Sequence, residues 1–307
     1  MSGPAGVKGH CVPGDGLIAA VVEPRPRDLG GFSVERILPA VGCRHLGPFV
    51  FFDHMGSAGF RLEPGHGMDV RPHPHIGLAT VTYLFAGSID HRDTLGSFQT
   101  IRPGDINWMV AGRGIAHSER TGPAARAAGG PAHGLQLWCA LPGEHEETTP
   151  SFDHHPAATL PLHSDGGVTA RILAGSAWGV TAPTRVLSPT FYVDVTLAAG
   201  ATIEVPAGYA ERGLFVVDGA VQLGAHTLLP GPIITLEPGA QATVRADQPA
   251  RIMMLGGENV GERVIWWNFV ASSRDRIEQA KADWTAGTFG TIPGDDKEFI
   301  PLPDPQI

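Results

Sequence analysis

Two short runs in this 307-residue chain combine residue types that bind metals: Arg71-Pro72-His73-Pro74-His75 and Gly112-Arg113-Gly114-Ile115-Ala116-His117-Ser118-Glu119. Each contains a pair separated by one residue, His73 with His75 and His117 with Glu119, and alternate residues of an extended strand point to the same face. Two such strands side by side would converge three imidazoles and a carboxylate on one point. That donor set suits a divalent first-row metal, and four protein ligands on a six-coordinate ion leave positions open for oxygen or substrate. The expected site is therefore catalytic, with His73, His75, His117 and Glu119 as metal ligands. Glu119 doubles as the catalytic residue, because only a carboxylate can both ligate and accept a proton near neutral pH. Any one of these residues alone would read as a solvated polar side chain. The proline-stiffened His-Pro-His run and the glycine-rich approach to His117 set the pairs apart.

Short strands must carry these residues, and the composition favours them. Hydrophobic residues make up 42% and charged ones 17%, with Gly 41 and Pro 27 breaking the apolar runs into short segments. This predicts a mainly β chain long enough for two compact domains. Strands are expected at Phe32 to Leu38, Phe49 to Phe52, Leu78 to Phe85, Ile106 to Val110 and Leu135 to Leu141. Asp90-His91-Arg92-Asp93 suits an exposed hairpin tip, which makes His91 solvated rather than ligating. Residues 121 to 134 read as a loop near the metal, with His133 as an outer-shell candidate, and Glu144 to His155 as a linker. Asp53-His54 is expected to satisfy backbone groups in a turn rather than to form a dyad. His154 and His155 would face opposite ways in an extended chain, so they are poor joint ligands.

The expected organisation is a flexible tail over 1–15, in which His10 and Cys11 are mobile, then a metal-bearing domain over 16–150 and a second domain over 151–270. A short helix from Arg274 to Ala286, capped by Ser272 or Ser273 and stopped at Gly287, and an extended tail with Pro301, Pro303 and Pro305 complete the chain over 271–307. The second domain echoes the first. Setting Gly87 on Gly219 puts Val205 and Ala207 where His73 and His75 stand. Setting Pro103-Gly104 on Pro230-Gly231 puts Val244 and Ala246 where His117 and Glu119 stand. All four positions are apolar in the echo, so one metal per chain is expected.

A formal net charge of -9 removes the electrostatic drive for direct nucleic-acid binding. Cys11, Cys43 and Cys139 are scattered and odd in number, which fits reduced thiols in a cytoplasmic protein. No basic-then-apolar leader and no apolar run of ~20 residues is apparent, so no membrane association is expected.

The chemistry-bearing residues also carry a resemblance. Gly67, His73, His75, Thr80 and Gly87 follow the spacing of the first cupin motif, with Thr80 where a glutamate ligand usually stands. Gly112, Gly114 and His117 resemble the second motif, and the resemblance implies that Glu119 supplies the missing carboxylate. That relocation resembles the pirin family of two-cupin proteins, as do Gly47 to Gly56, Trp266-Trp267-Asn268-Phe269-Val270 and Phe289 to Asp295. The resemblance implies two tandem jelly-roll-like cupin β-barrels and one Fe(2+), with Mn, Ni, Cu and Zn as alternatives. It implies a quercetin 2,3-dioxygenase-like oxidoreductase that cleaves a flavonol or similar enolisable phenol with O2. It implies as the alternative an iron-dependent, redox-sensing interaction protein that regulates a protein partner without turnover. A third reading, cupin isomerase or hydrolase chemistry, would need no oxygen. The resemblance further implies that the tail packs back across the first barrel.

Overall fold

The computed structural model describes residues 10–56 and 59–303. The chain is mainly β and folds into two jelly-roll-like halves, each made of a large and a small antiparallel sheet rather than one closed barrel. In the first half the large sheet runs Ser151–His155, Ile106–Val110, Leu78–Ala86, His133–Ala140, Phe49–Met55, Ser33–Leu38 and Arg25–Asp28. Its small sheet runs Phe98–Ile101, Ile89–Asp93, Ile115–Arg120 and Val70–His75. The second half repeats this order: Glu211–Asp218 stands for Leu78–Ala86, Ala250–Gly257 for His133–Ala140, and Thr243–Arg245 beside Thr202–Glu204 for the strands of His117 and His73. Gly87 and Gly219 close equivalent strands at φ 88° and 76°. A Cβ on either would come within 2.6 Å of a carbonyl oxygen, that of Pro131 or Pro249. Only glycine fits both requirements.

The two large sheets pack face to face through one shared core. Phe52 meets Phe215 at 5.1 Å and Phe49 meets Tyr192 at 6.1 Å between ring centroids. Tyr83, Trp108, Met253 and Leu255 fill the same layer. Each such side chain stabilises by about 1.5–3 kcal/mol when buried, so the halves hold together firmly. Strand alternation then decides what each half keeps inside. The second half's interior is apolar, with Val193, Val195, Leu214, Val216, Val244 and Met254. The first half's interior mixes buried Thr80, Thr82, Asn107, His117 and Glu119 with an apolar cluster of Val50, Phe51, Leu78, Met109 and Trp138.

Several expectations change. The expected boundaries at 16 and 151 shift, because Ile18–Val22 pairs with Ile233–Leu236 of the second half, whereas Ser151–His155 pairs with Ile106–Val110 of the first. The expected tail over 1–15 is a strand in part: Cys11–Pro13 pairs with Ile18–Val22, and residues 1–9 lie outside the described residues. The linker reading of Glu144 to His155 fails for the same reason as the boundary, since its end is a sheet strand. A short helix, Pro123–Ala128, replaces the loop expected there, started by a proline in its first turn. Cys11 and Cys43 form a disulfide and are not the reduced thiols expected; the two lie far apart in sequence and are brought together by the strand over 11–13. Cys139 is free, and burial pushes its thiol up to about 12, so it is inert near neutral pH.

The terminal helix spans Arg274–Thr285, with Ser273 accepting the Arg276 N–H at 3.2 Å. The tail beyond it returns across the first half as expected: the Ile300 N–H donates to the Pro72 carbonyl at 2.8 Å, and Arg120 pairs with Asp295 at 2.9 Å. Pro305 lies outside the described residues. Among the described residues, no helix is long and apolar enough to cross a membrane.

Candidate metal centre

Val70–His75 is the edge strand of the small sheet, which is where two prolines can sit without breaking a ladder. Its free edge is covered by the tail at Pro72 and by a bridge from Ile76 to Phe269. Antiparallel pairing sets His75 opposite Ile115 and His73 opposite His117. The register then slips, and Glu119 falls opposite Val70, so that Ser118 faces both Arg71 and Pro72 in a β-bulge.

The three histidines meet as expected. Their ring centroids lie 4.4–5.0 Å apart. One ring nitrogen from each falls within 4.8 Å of the others, and all three residues are buried. His73 Nδ1 donates to the Arg71 carbonyl at 2.8 Å and His75 Nδ1 to the Asn268 carbonyl at 3.0 Å, because a carbonyl can only accept. A neutral imidazole carries one proton, so the Nε2 atoms of both are bare lone pairs. His75 Nε2 stands 3.1 Å from His117 Nε2, and His117 Nδ1 is turned outward. Lone pairs converging in a buried site repel one another unless a cation lies among them. The residues therefore fit a divalent first-row metal held through Nε2.

Protonation supports the same assignment. Burial is the largest cause holding His73 down at about 4 and His75 and His117 well below the ordinary imidazole range. All three are neutral at pH 7, as ligation requires.

Glu119 lies outside this nitrogen cluster. It is buried on the same side, where Oε1 accepts the Thr82 hydroxyl at 3.0 Å. Burial raises its carboxyl above the ordinary value, against the opposing pull of His91 and the Thr82 hydrogen bond. The bulge lies in the partner strand: Glu119 keeps its regular pairing with His91, and only its register against Val70–His75 is displaced.

His91 is the main correction in the site. The tetrapeptide Asp90 to Asp93 is strand, not a hairpin tip, and His91 is 3% exposed. Its Nδ1 lies 3.4 Å from His117 Nδ1, its Nε2 lies 3.0 Å from Asp93 Oδ2, and its ring stacks on Phe152 at 4.3 Å. Thr82, His91, Asp93 and Phe152 were not legible as site residues. His91 and Asp93 nonetheless carry the same one-residue spacing as the two ligand pairs, and that signal could have found them.

The remaining candidates lie elsewhere. Asp53 is held bidentate by Arg36 at 2.7 Å, so it forms no dyad with His54. His154 bonds Asn107, and His10 is exposed and bridges to Val41. His133 is not an outer-shell group of the triad: its Nε2 faces His54 Nε2 at 2.7 Å between Phe85 and Phe215. Burial holds both members of this pair at about 4, with Arg251 adding to the effect on His133. The unfolded histidines take up protons near 6.5 while the folded pair resists until about 4. The unfolded state therefore binds more protons in that window, and stability falls as pH drops through it, by up to about 1.4 kcal/mol per pH unit for each proton. Urea midpoints measured from pH 7 to 4 should fall less steeply for His133→Gln than for the unaltered chain; parallel profiles would contradict this.

Comparison with known proteins agrees with this architecture. The family models described as Pirin and as Pirin C-terminal cupin domain match residues 31–139 and 192–290. A pirin-like protein of Caulobacter vibrioides is 48% identical over 94% of this chain and 100% of its own length. Pirin of Homo sapiens is 32% identical over 83% of this chain and 87% of its own. The crystal structure of a quercetin 2,3-dioxygenase from Acinetobacter baumannii superposes with a TM-score of 0.84 at 32% identity, covering 94% of this chain and 96% of that one.

Proposed function

Because the chain belongs to the pirin family of two-cupin proteins, we propose that it is a metal-dependent dioxygenase acting on quercetin or a similar enolisable phenol. The observation that carries this reading is the convergence of three buried imidazole nitrogens, two of them bare, inside one half. The likeness to a quercetin 2,3-dioxygenase structure supplies the reaction class. Iron, when bound by His73, His75 and His117, would supply one-electron exchange with O2 and Lewis acidity toward the substrate oxygen.

The chain's own groups do the rest. Glu119 completes the ligand set as a fourth donor and takes the proton of the substrate hydroxyl. Its raised carboxyl moves it toward the operating pH, and the Thr82 hydroxyl stabilises its charged form. Trp138 packs T-shaped against His75 at 5.2 Å and stacks on Phe51 at 4.0 Å, an apolar wall that keeps water from the nitrogen donors.

Iron-loaded protein given quercetin should consume oxygen, and both atoms of 18O2 should appear in the organic product. The same protein without oxygen should leave quercetin unchanged. Iron-loaded protein that consumes no oxygen with any flavonol, but binds a protein partner in one oxidation state of the metal only, would replace this reading with that of a redox-sensing module.

A further inference from the structure

The three ligand histidines are not oriented alike. His73 and His75 each anchor Nδ1 on a backbone carbonyl, which has no alternative role. His117 anchors on another side chain, His91, at 3.4 Å. That ring can accept or donate at Nδ1, so something must choose.

Asp93 makes the choice. It is fully buried, and its Oδ1 accepts the backbone N–H groups of Leu95 at 2.9 Å and Ser97 at 3.0 Å, which fixes the carboxylate in place. Its Oδ2 can then only accept, so His91 carries a proton on Nε2, 3.0 Å away. A ring with its single proton there offers Nδ1 as an acceptor, and His117, 3.4 Å away, meets it as the Nδ1 donor. That leaves His117 Nε2 bare and pointed at His73 and His75. Phe152 clamps the His91 ring face to face, 12° from parallel.

We infer that His91 is a positioning residue for His117, set in its tautomer by Asp93, so that a carboxylate two side chains away decides whether the third ligand nitrogen is available. This rests on the reading of His73, His75 and His117 as metal ligands. Outer partners of a ligating imidazole are worth about 10–100-fold in metal affinity.

Zinc(II), which has no redox chemistry to complicate the readout, serves as the probe, with affinity measured by chelator competition on metal-free protein. Asp93→Asn keeps the two backbone contacts on its oxygen and turns an amide N–H toward His91. His91 then carries its proton on Nδ1 and confronts the His117 donor, and zinc affinity should fall about 10–100-fold. His91→Phe keeps the stack on Phe152 and removes the acceptor, with the same expected loss. His91→Asn places an amide oxygen near the former Nδ1 and should stay within about threefold of the unaltered protein on the same scale. A packing role alone predicts the reverse order, with Phe tolerated and Asn not. The ring-nitrogen NMR spectrum of the metal-free unaltered chain should show His91 protonated on Nε2 and His117 on Nδ1, whether or not any variant folds. His91 protonated on Nδ1 would overturn the inference, as would Asp93→Asn and His91→Phe proteins that bind zinc as the unaltered chain does. An unaltered chain that binds no zinc would instead overturn the metal reading beneath it.

Discussion

His75→Val protein is expected to lose tight metal binding, by more than the roughly 100-fold assigned to an outer hydrogen-bond partner, and to lose oxygen consumption with it. One of three converging nitrogens disappears, and the Asn268 carbonyl that aimed it is left facing a methyl group. Folding should survive, for a reason visible in the second half. Ladder pairing there sets Ile203 opposite Val244 on the strands that stand for the two ligand strands, and Ile203, Val205 and Val244 are all buried. The equivalent strands thus pack aliphatic side chains where the first half carries ligands. Removing the imidazole also relieves the lone-pair contact between His75 and His117 in the metal-free protein. The melting temperature of metal-free His75→Val should match or exceed that of the unaltered chain. Wild-type zinc or iron affinity in this variant would show that His75 is not a ligand.

Glu119→Gln should lower turnover by about 10²–10⁴-fold, the range typical of a lost general base. Glutamine keeps the size and an oxygen that can face the Thr82 hydroxyl, but it has neither charge nor basicity. Metal affinity should weaken less than for His75→Val, because glutamine still offers an oxygen donor where valine offers none. Steady-state oxygen consumption on protein with matched iron content separates the two effects. A Glu119→Gln protein that retains iron and oxidises quercetin at the unaltered rate would remove the carboxylate from the mechanism.

The three histidines were legible because alternation and proline stiffness constrain them locally. Where the sequence misled, the cause was interaction at a distance or inversion of the usual pattern. Asp90 to Asp93 is polar, and a polar run normally faces water; here the inward face of a site-bearing half carries polar residues, so His91 and Asp93 are inside. The bulge at Arg71 and Pro72 shifts Glu119 relative to its partner strand, a displacement that the spacing of Glu119 from His117 does not contain. The repeat is legible because glycines close equivalent strands in both halves, and its counterpart of the ligand region is apolar, with Ile203, Val205 and Val244 buried. The Cys11 to Cys43 pairing depends on a strand whose own partner lies in the other half.

That last strand, Ile18–Val22, has a consequence in time. Its partner is Ile233–Leu236, and Thr235 bonds the Ala20 carbonyl across 215 residues. At roughly 5–20 residues per second of synthesis, the ribosome needs on the order of 10–40 s to deliver that partner after the strand has emerged. Throughout that interval Ile18, Ala20 and Val22 have no sheet to join, although the rest of the metal-bearing half needs only residues up to His155 to complete its own. The sheets of the half that carries the chemistry are thus complete first, the second half then takes in the strand made at the outset, and the carbonyl of Asn268 that aims His75 arrives later still.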